Sequence, residues 1–300
     1  MRRLAFFFGF LIAVSLCFSA CKSKPALAEG TPPPVPSAVL FLNGIEADNP
    51  NLLKLSFTLE IRNPTSSAMF AQIGSWQAEV NGRKAGAAIA LDTGGAAFPL
   101  SAAARGKASI PLLLNMDMAA LTAEGLAPLD DYQVDLTIAL GFSTSHEADS
   151  GSSFPFRSEA SCRADFPGVR APEFSITGIA ILQAELINTR FRVSLRIENP
   201  NPFPIDLSAF SYTLYGNGKF WADGTEKNII KVAAKSSLHG NLFLLMNFID
   251  MDRNLLDQIV NLLDVNYRFR GEANISTGVD YLPVFTSGFD LSGYSVVLDE

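Results

Sequence analysis

Two short triplets, Asp92-Thr93-Gly94 and Asp149-Ser150-Gly151, carry the residue types nearest to a recognisable chemistry. Brought face to face, such triplets let two carboxylates share a proton and activate water. Their surroundings argue against it. Gly95 follows the first triplet where a small hydroxyl residue or alanine is needed, and Glu147-Ala148 precedes the second where an apolar pair should position a strand. Both triplets lie in small-residue segments where Asp, Ser and Gly are ordinary turn formers. Ser145-His146-Glu147 holds the residue types of a nucleophilic relay, but adjacent residues on a loop point apart. His239 stands beside Gly240 with no acidic neighbour in sequence. Cys162 falls on the apolar side of an alternating run, which favours a packed core residue over a reactive or intermolecular thiol. No Cys or His cluster has metal-ligand spacing. The expectation is therefore no catalytic residue, no cofactor and no metal.

The one position with assignable covalent chemistry is Cys21. Met1-Arg2-Arg3 is a basic start, Leu4 to Leu16 is an apolar run of thirteen residues, and Phe18-Ser19-Ala20-Cys21 comes next. That is the pattern of an export signal, since a spanning helix needs about 20 apolar residues. The FSAC stretch resembles the lipobox of bacterial lipoproteins, with Phe18 where leucine is usual. The resemblance implies a signal peptide over residues 1–20 and acylation of Cys21, which becomes the new N-terminus. An ordinary secretory signal and an uncleaved anchor are the alternatives. More than one acyl chain would make the membrane attachment stable. Residues 21–36 then form a tether ending in Thr31-Pro-Pro-Pro-Val-Pro36, long enough to hold the first domain up to about 45 Å from a bilayer.

Composition narrows the partners. Hydrophobic residues make up 48% of the 300, enough for two sizeable cores. The formal charge is −7, and removing the first twenty residues, with Arg2 and Arg3 but no acid, takes it to −9. An acidic surface repels phosphate backbones, so nucleic acid is not expected as a partner.

The elements that must position any site come from alternation. Phe191, Val193, Leu195 and Ile197 alternate with Arg192, Ser194, Arg196 and Glu198, a strand with one buried and one wet face. Asn199-Pro200 stops it. Leu55, Phe57, Leu59 and Ile61 do the same and stop at Asn63-Pro64. A shift of 136 positions lays residues 36–64 on 172–200 without a gap, with six identities. The chain thus reads as a repeat: residues 37–166, a linker over 167–172, and residues 173–300.

Within the first copy, Trp76, Ala78 and Val80 lead to a hairpin at Asn81-Gly82. Pro111 marks the strand from Ala108 to Leu114 as an edge or a bulge. Asp117 caps a short helix through Leu121, and Tyr132 to Leu140 alternate clearly. The last strand has Phe156, Ser158, Ala160, Cys162 and Ala164 inward. In the second copy, Gly216-Asn217-Gly218 forms the hairpin and Asp252 caps a helix through Leu263, whose apolar stripe reads as core packing. Many short strands with one short helix in each half predict an all-β chain of two tandem antiparallel β-sandwiches.

The run Ile197–Gly224, IENPNPFPIDLSAFSYTLYGNGKFWADG, resembles the late-embryogenesis-abundant type 2 family, also called the water-stress-and-hypersensitive-response (WHy) domain. The matching features are the strand ending in Asn199-Pro200-Asn201-Pro202-Phe203-Pro204, the hairpin near Gly216 and Gly224 after the next strand. The first copy departs, with Thr65-Ser66-Ser67 in place of the second Asn-Pro. The resemblance implies a fibronectin-type-III-like (immunoglobulin-like) sandwich with an added helix, an association with stress and desiccation, and no catalytic residues. Together these features predict a non-enzymatic lipoprotein of a bacterial cell envelope, lipid-anchored outside the cytoplasm through Cys21. Its expected partners are the membrane and a protein client. The rival is a binding module that recognises an envelope or host protein through its loops.

Overall fold

The computed structural model describes residues 35–96, 98–144, 154–184, 188–247, 265–295 and 297–299. Cys21, the triplet at Asp149, His146 and the helix expected from Asp252 to Leu263 lie outside them.

Alternation becomes strand along both halves of the chain. In the first copy, β1 (Ser37–Asn49), β2 (Leu52–Arg62), β5 (Ile89–Asp92) and β7 (Lys107–Asp117) form one sheet in the order β1-β2-β7-β5. The facing sheet joins β3 (Met69–Val80), β4 (Arg83–Lys84), β8 (Asp131–Ser143) and β9 (Phe156–Pro167) in the order β4-β3-β8-β9, with β6 (Leu100–Ala102) also paired to β3. In the second copy, β10 (Glu173–Ala184), β11 (Asn188–Glu198), β15 (Ser237–Asn247) and β18 (Val297–Asp299) run β15-β11-β10-β18. Its facing sheet joins β12 (Ile205–Gly216), β13 (Lys219–Glu226), β16 (Val265–Ser276) and β17 (Val284–Ser295) as β13-β12-β16-β17, with β14 (Ile230–Val232) on β12. Strand for strand the two orders agree. They part in the fourth strand of the first sheet, which sits on opposite edges: β5 pairs with β7 in the first copy, and β18 pairs in parallel with β10 in the second.

Each pair of sheets closes over its own core. Phe57, Leu59, Leu114, Leu136 and Phe142 are buried in the first; Phe191, Val193, Phe210, Leu214 and Phe269 are buried in the second. The rims meet at Ala47 and Tyr281, which pack against both. The wet partners Arg192, Ser194, Arg196 and Glu198 stay half-exposed, as alternation requires.

Turn chemistry follows the residues. Asn81 and Gly82 both take positive φ (50° and 75°), as do Asn217 and Gly218 (48° and 76°), the geometry of a two-residue hairpin loop. Asp117 caps α1 (Met118–Ala123), its Oδ1 accepting the Ala120 N–H at 2.9 Å. Pro111 sits on β7 ahead of the stretch Leu113–Met116 that β5 covers, so its missing N–H costs no ladder bond on that side.

Two aromatic residues on alternating runs are less buried than their neighbours. Trp76 is 39% exposed although Ala78 and Val80 are buried. Trp76 shares their face, in unbroken register with Ile138, Leu136 and Val134 of β8, but β3's other neighbours, β6 and β4, stop short of it on either side. Phe156, the first residue of edge strand β9, is 38% exposed because the sheet covers it from one side only.

Candidate functional site

The residues that looked most like chemistry do not converge. Asp92 closes a turn, its Oδ1 accepting the Gly94 N–H at 2.8 Å, with Gly94 and Gly95 both at positive φ. That is the turn role its sequence context predicted. His239 is exposed on edge strand β15, opposite Arg196. Cys162 is half-buried and packs against the first core. Among the described residues, no group of three His, Cys, Asp or Glu side chains is placed to hold a metal ion.

What the fold does build is a pair of buried polar corners at the Asn-Pro stops. Asn199 is 1% exposed, and its Nδ2 donates to the carbonyls of Phe203 (2.8 Å), Ala233 (3.0 Å) and Val232 (3.3 Å). Its Oδ1 accepts the Asn201 N–H (3.0 Å) and Nδ2 (2.9 Å). One amide thus ties the end of β11 to the turn before β12 and to the stretch after β14. Asn63 does the same in the first copy. Its Nδ2 donates to Ser67, Ala102 and Ala103 carbonyls at 2.8, 3.1 and 3.0 Å, and its Oδ1 accepts from Thr65 N–H (3.0 Å) and Oγ1 (2.7 Å). Thr65 therefore stands in for Asn201. The backbone continues the likeness: Arg105 N–H donates to Thr65 O, and Lys235 N–H donates to Asn201 O, each at 2.9 Å.

At the second corner the polar network extends across the linker. Arg170 Nη2 donates to Asp130 Oδ1 and to the Pro200 carbonyl. Lys235 Nζ donates to the same Asp130 oxygen at 2.5 Å and to Pro200 O at 2.9 Å. Hydrogen bonding from Lys235, with the Arg170 charge beside it, holds the Asp130 carboxyl below the usual aspartate range. Gly168 N–H donates to the Asp130 carbonyl at 2.6 Å, and a Cβ at Gly168 would stand 2.3 Å from Leu129 O. Only glycine lets the chain pass that close.

Beside this network the two sandwiches and the linker enclose a cleft of about 360 Å3, lined among others by Leu53, Met118, Phe166, Tyr281, Phe285 and Ser287. Phe166 stacks on Tyr132 and meets Tyr281 edge-on, each with centroids 5.8 Å apart. Tyr281 donates its hydroxyl proton to the Pro167 carbonyl, and burial pushes its phenol above the ordinary tyrosine value. A broader depression of about 740 Å3 lies against the β12–β16–β17 face, lined in part by Arg270 and Asp290; Asp290 pairs with Arg270 and also with Arg268. Sequence reasoning found the Asn-Pro corners but not the contact of Asp130, Arg170 and Lys235. Their only signal was a charged residue inside a proline-bounded linker.

Residues 194–288 match the sequence profile of the late embryogenesis abundant protein family. The match begins on β11, takes in the Asn199 corner and ends on β17. No curated protein matches the chain. Among solved structures, a protein from Archaeoglobus fulgidus is 20% identical, over 43% of this chain and 96% of its own, with a TM-score of 0.28. A candidate lipoprotein from Bacillus subtilis is 14% identical over 42% of this chain and 37% of its own, with a TM-score of 0.25. A Bacteroides uniformis beta-glucuronidase is 10% identical over 80% of this chain and 26% of its own, with a TM-score of 0.22.

Proposed function

We propose that this chain is a non-enzymatic envelope lipoprotein, anchored by acyl chains on Cys21, whose two WHy-like sandwiches protect client proteins during stress such as drying. The observation that carries this reading is the family match over residues 194–288, which falls on the sandwich containing the Asn199-Pro200-Asn201-Pro202 run. The side chains with catalytic residue types support it, because those described serve a turn, an exposed edge strand and a core rim. In this role the protein offers rigid, acidic, well-hydrated surface that separates clients as water is withdrawn.

The cleft between the sandwiches favours a second reading, a binding module for an envelope or host protein. One experiment separates the two. The chain from Lys22 onward is dried with a desiccation-sensitive enzyme at equimolar ratio, beside an inert protein of similar charge. Retained enzyme activity above that control is expected. Protection no better than the control, together with selective capture of one envelope protein, would favour the binding module.

A further inference from the structure

The two corners are the same structure with one difference. In the first, Thr65 satisfies Asn63 Oδ1 through its backbone N–H and its hydroxyl. The turn itself therefore does not require asparagine two residues after the corner amide. At the second corner Asn201 fills that position, and its additional atoms reach the linker. Asn201 Oδ1 accepts the Arg170 N–H at 2.7 Å, and Asn201 Nδ2 donates to the Arg170 carbonyl at 2.9 Å. This is the two-point pairing a neighbouring strand would make, supplied by a side chain that is 0% exposed. The cations differ in the same way. Arg105 and Lys235 share the left-handed backbone conformation (φ 51° and 50°) and the same backbone bond. The Arg105 side chain is exposed and makes no hydrogen bond or ion pair to the described residues, whereas Lys235 reaches Asp130 on the first sandwich.

We propose that Asn201, Arg170, Lys235 and Asp130 form a latch that fixes the angle between the two sandwiches and thereby sets the shape of the cleft beside it. The side-chain charges at Asp130 are partly exposed, and an exposed ion pair alone holds geometry weakly. The buried pairing of Asn201 with the Arg170 backbone supplies the rigidity. Asp130 then ties that anchored linker to the first sandwich through its carboxylate and, through its carbonyl, to Gly168. The inference does not depend on the protective role: a latch would serve either reading.

The test is a distance distribution between spin labels at exposed Lys84 and Lys227, in the full chain with its three cysteines replaced by serine. One narrow distribution is expected. Asn201→Thr keeps the bond that Thr65 makes in the first corner but removes the linker pairing, and should broaden the distribution and displace its maximum. Asp130→Ala, on the surface, should broaden it as well, and Thr65→Asn should leave it unchanged. Melting curves report whether each variant is folded. Should Asn201→Thr fail to fold, Asp130→Ala decides. A distribution as narrow in Asp130→Ala as in the parent, or a parent distribution that is already broad, overturns the latch.

Discussion

Asn63 and Asn199 hold equivalent corners with the same atoms, each Nδ2 donating to three carbonyls and each Oδ1 accepting from the residue two positions on. Both are almost fully buried. A buried amide with every donor and acceptor used is worth more than its individual bonds, because its removal strands several backbone groups at once. Neither asparagine has a side-chain polar atom left over for a substrate. The Asn-Pro motif is thus part of the frame of each sandwich.

Asn63→Ala in the first corner should therefore lower stability by about 1–3 kcal/mol. Urea midpoints followed by circular dichroism check this. Thr65→Asn at the same corner should change the midpoint by about 0.5 kcal/mol or less, since asparagine does the same work at position 201.

Gly216 provides a packing test. A Cβ there would fall 1.9 Å from the ring of Trp221, which is buried and stacks on Phe191 at 5.4 Å. Gly216→Ala should cost about 1–3 kcal/mol, as overpacking does. Gly240→Ala, with nothing within 4 Å, should be neutral or raise stability by up to about 1 kcal/mol. Thermal melts of the two variants should order accordingly.

Much of this architecture is legible in the chain for physical reasons. Phe191, Val193, Leu195 and Ile197 announce a half-buried strand because the pleat has a period of two. Asn81-Gly82 and Asn217-Gly218 announce hairpins because those pairs tolerate positive φ. Alternation gives the right face for Trp76 but overstates its burial, since β6 and β4 stop short of it on either side, which no local pattern records. The contact of Asp130, Arg170 and Lys235 is invisible in sequence, because it depends on how two sandwiches meet and not on any local pattern.

The acid limb of stability follows from four carboxylates. Arg62 at Glu60, Lys235 at Asp130, Arg163 at Asp135 and Arg268 at Asp290 each hold the acid below its ordinary value through a hydrogen bond. A depressed folded-state value gives stability that is present above the unfolded value, about 3.9–4.3, and is lost as pH falls through the folded one. Burial raises Tyr281 and Tyr212, so their contribution is present below about 10 and is lost above it. Urea midpoints should be level through neutral pH and fall at both ends. A maximum near pH 4 would contradict these ion pairs.

Anchoring is tested at Cys21. Cys21→Ala should abolish metabolic labelling with palmitate and leave the protein unprocessed or released from the membrane fraction. Equal labelling of the parent and the variant would remove this residue as the lipid attachment site.

The central structural claim is that the Asn199 motif is frame and that the strand before it has one buried and one wet face. The chain's two tryptophans allow a direct measurement, because Trp221 lies in the second core and Trp76 on the first sandwich. In a Trp76→Phe background, Trp221 fluorescence during urea unfolding reports the second sandwich alone. Leu195→Ala should cost about 2–5 kcal/mol by leaving a cavity. Asn199→Ala should cost about 1–3 kcal/mol, and Arg196→Ala should stay within about 0.5 kcal/mol. An Arg196→Ala variant costlier than Leu195→Ala, or an Asn199→Ala variant as stable as its parent, would contradict the account.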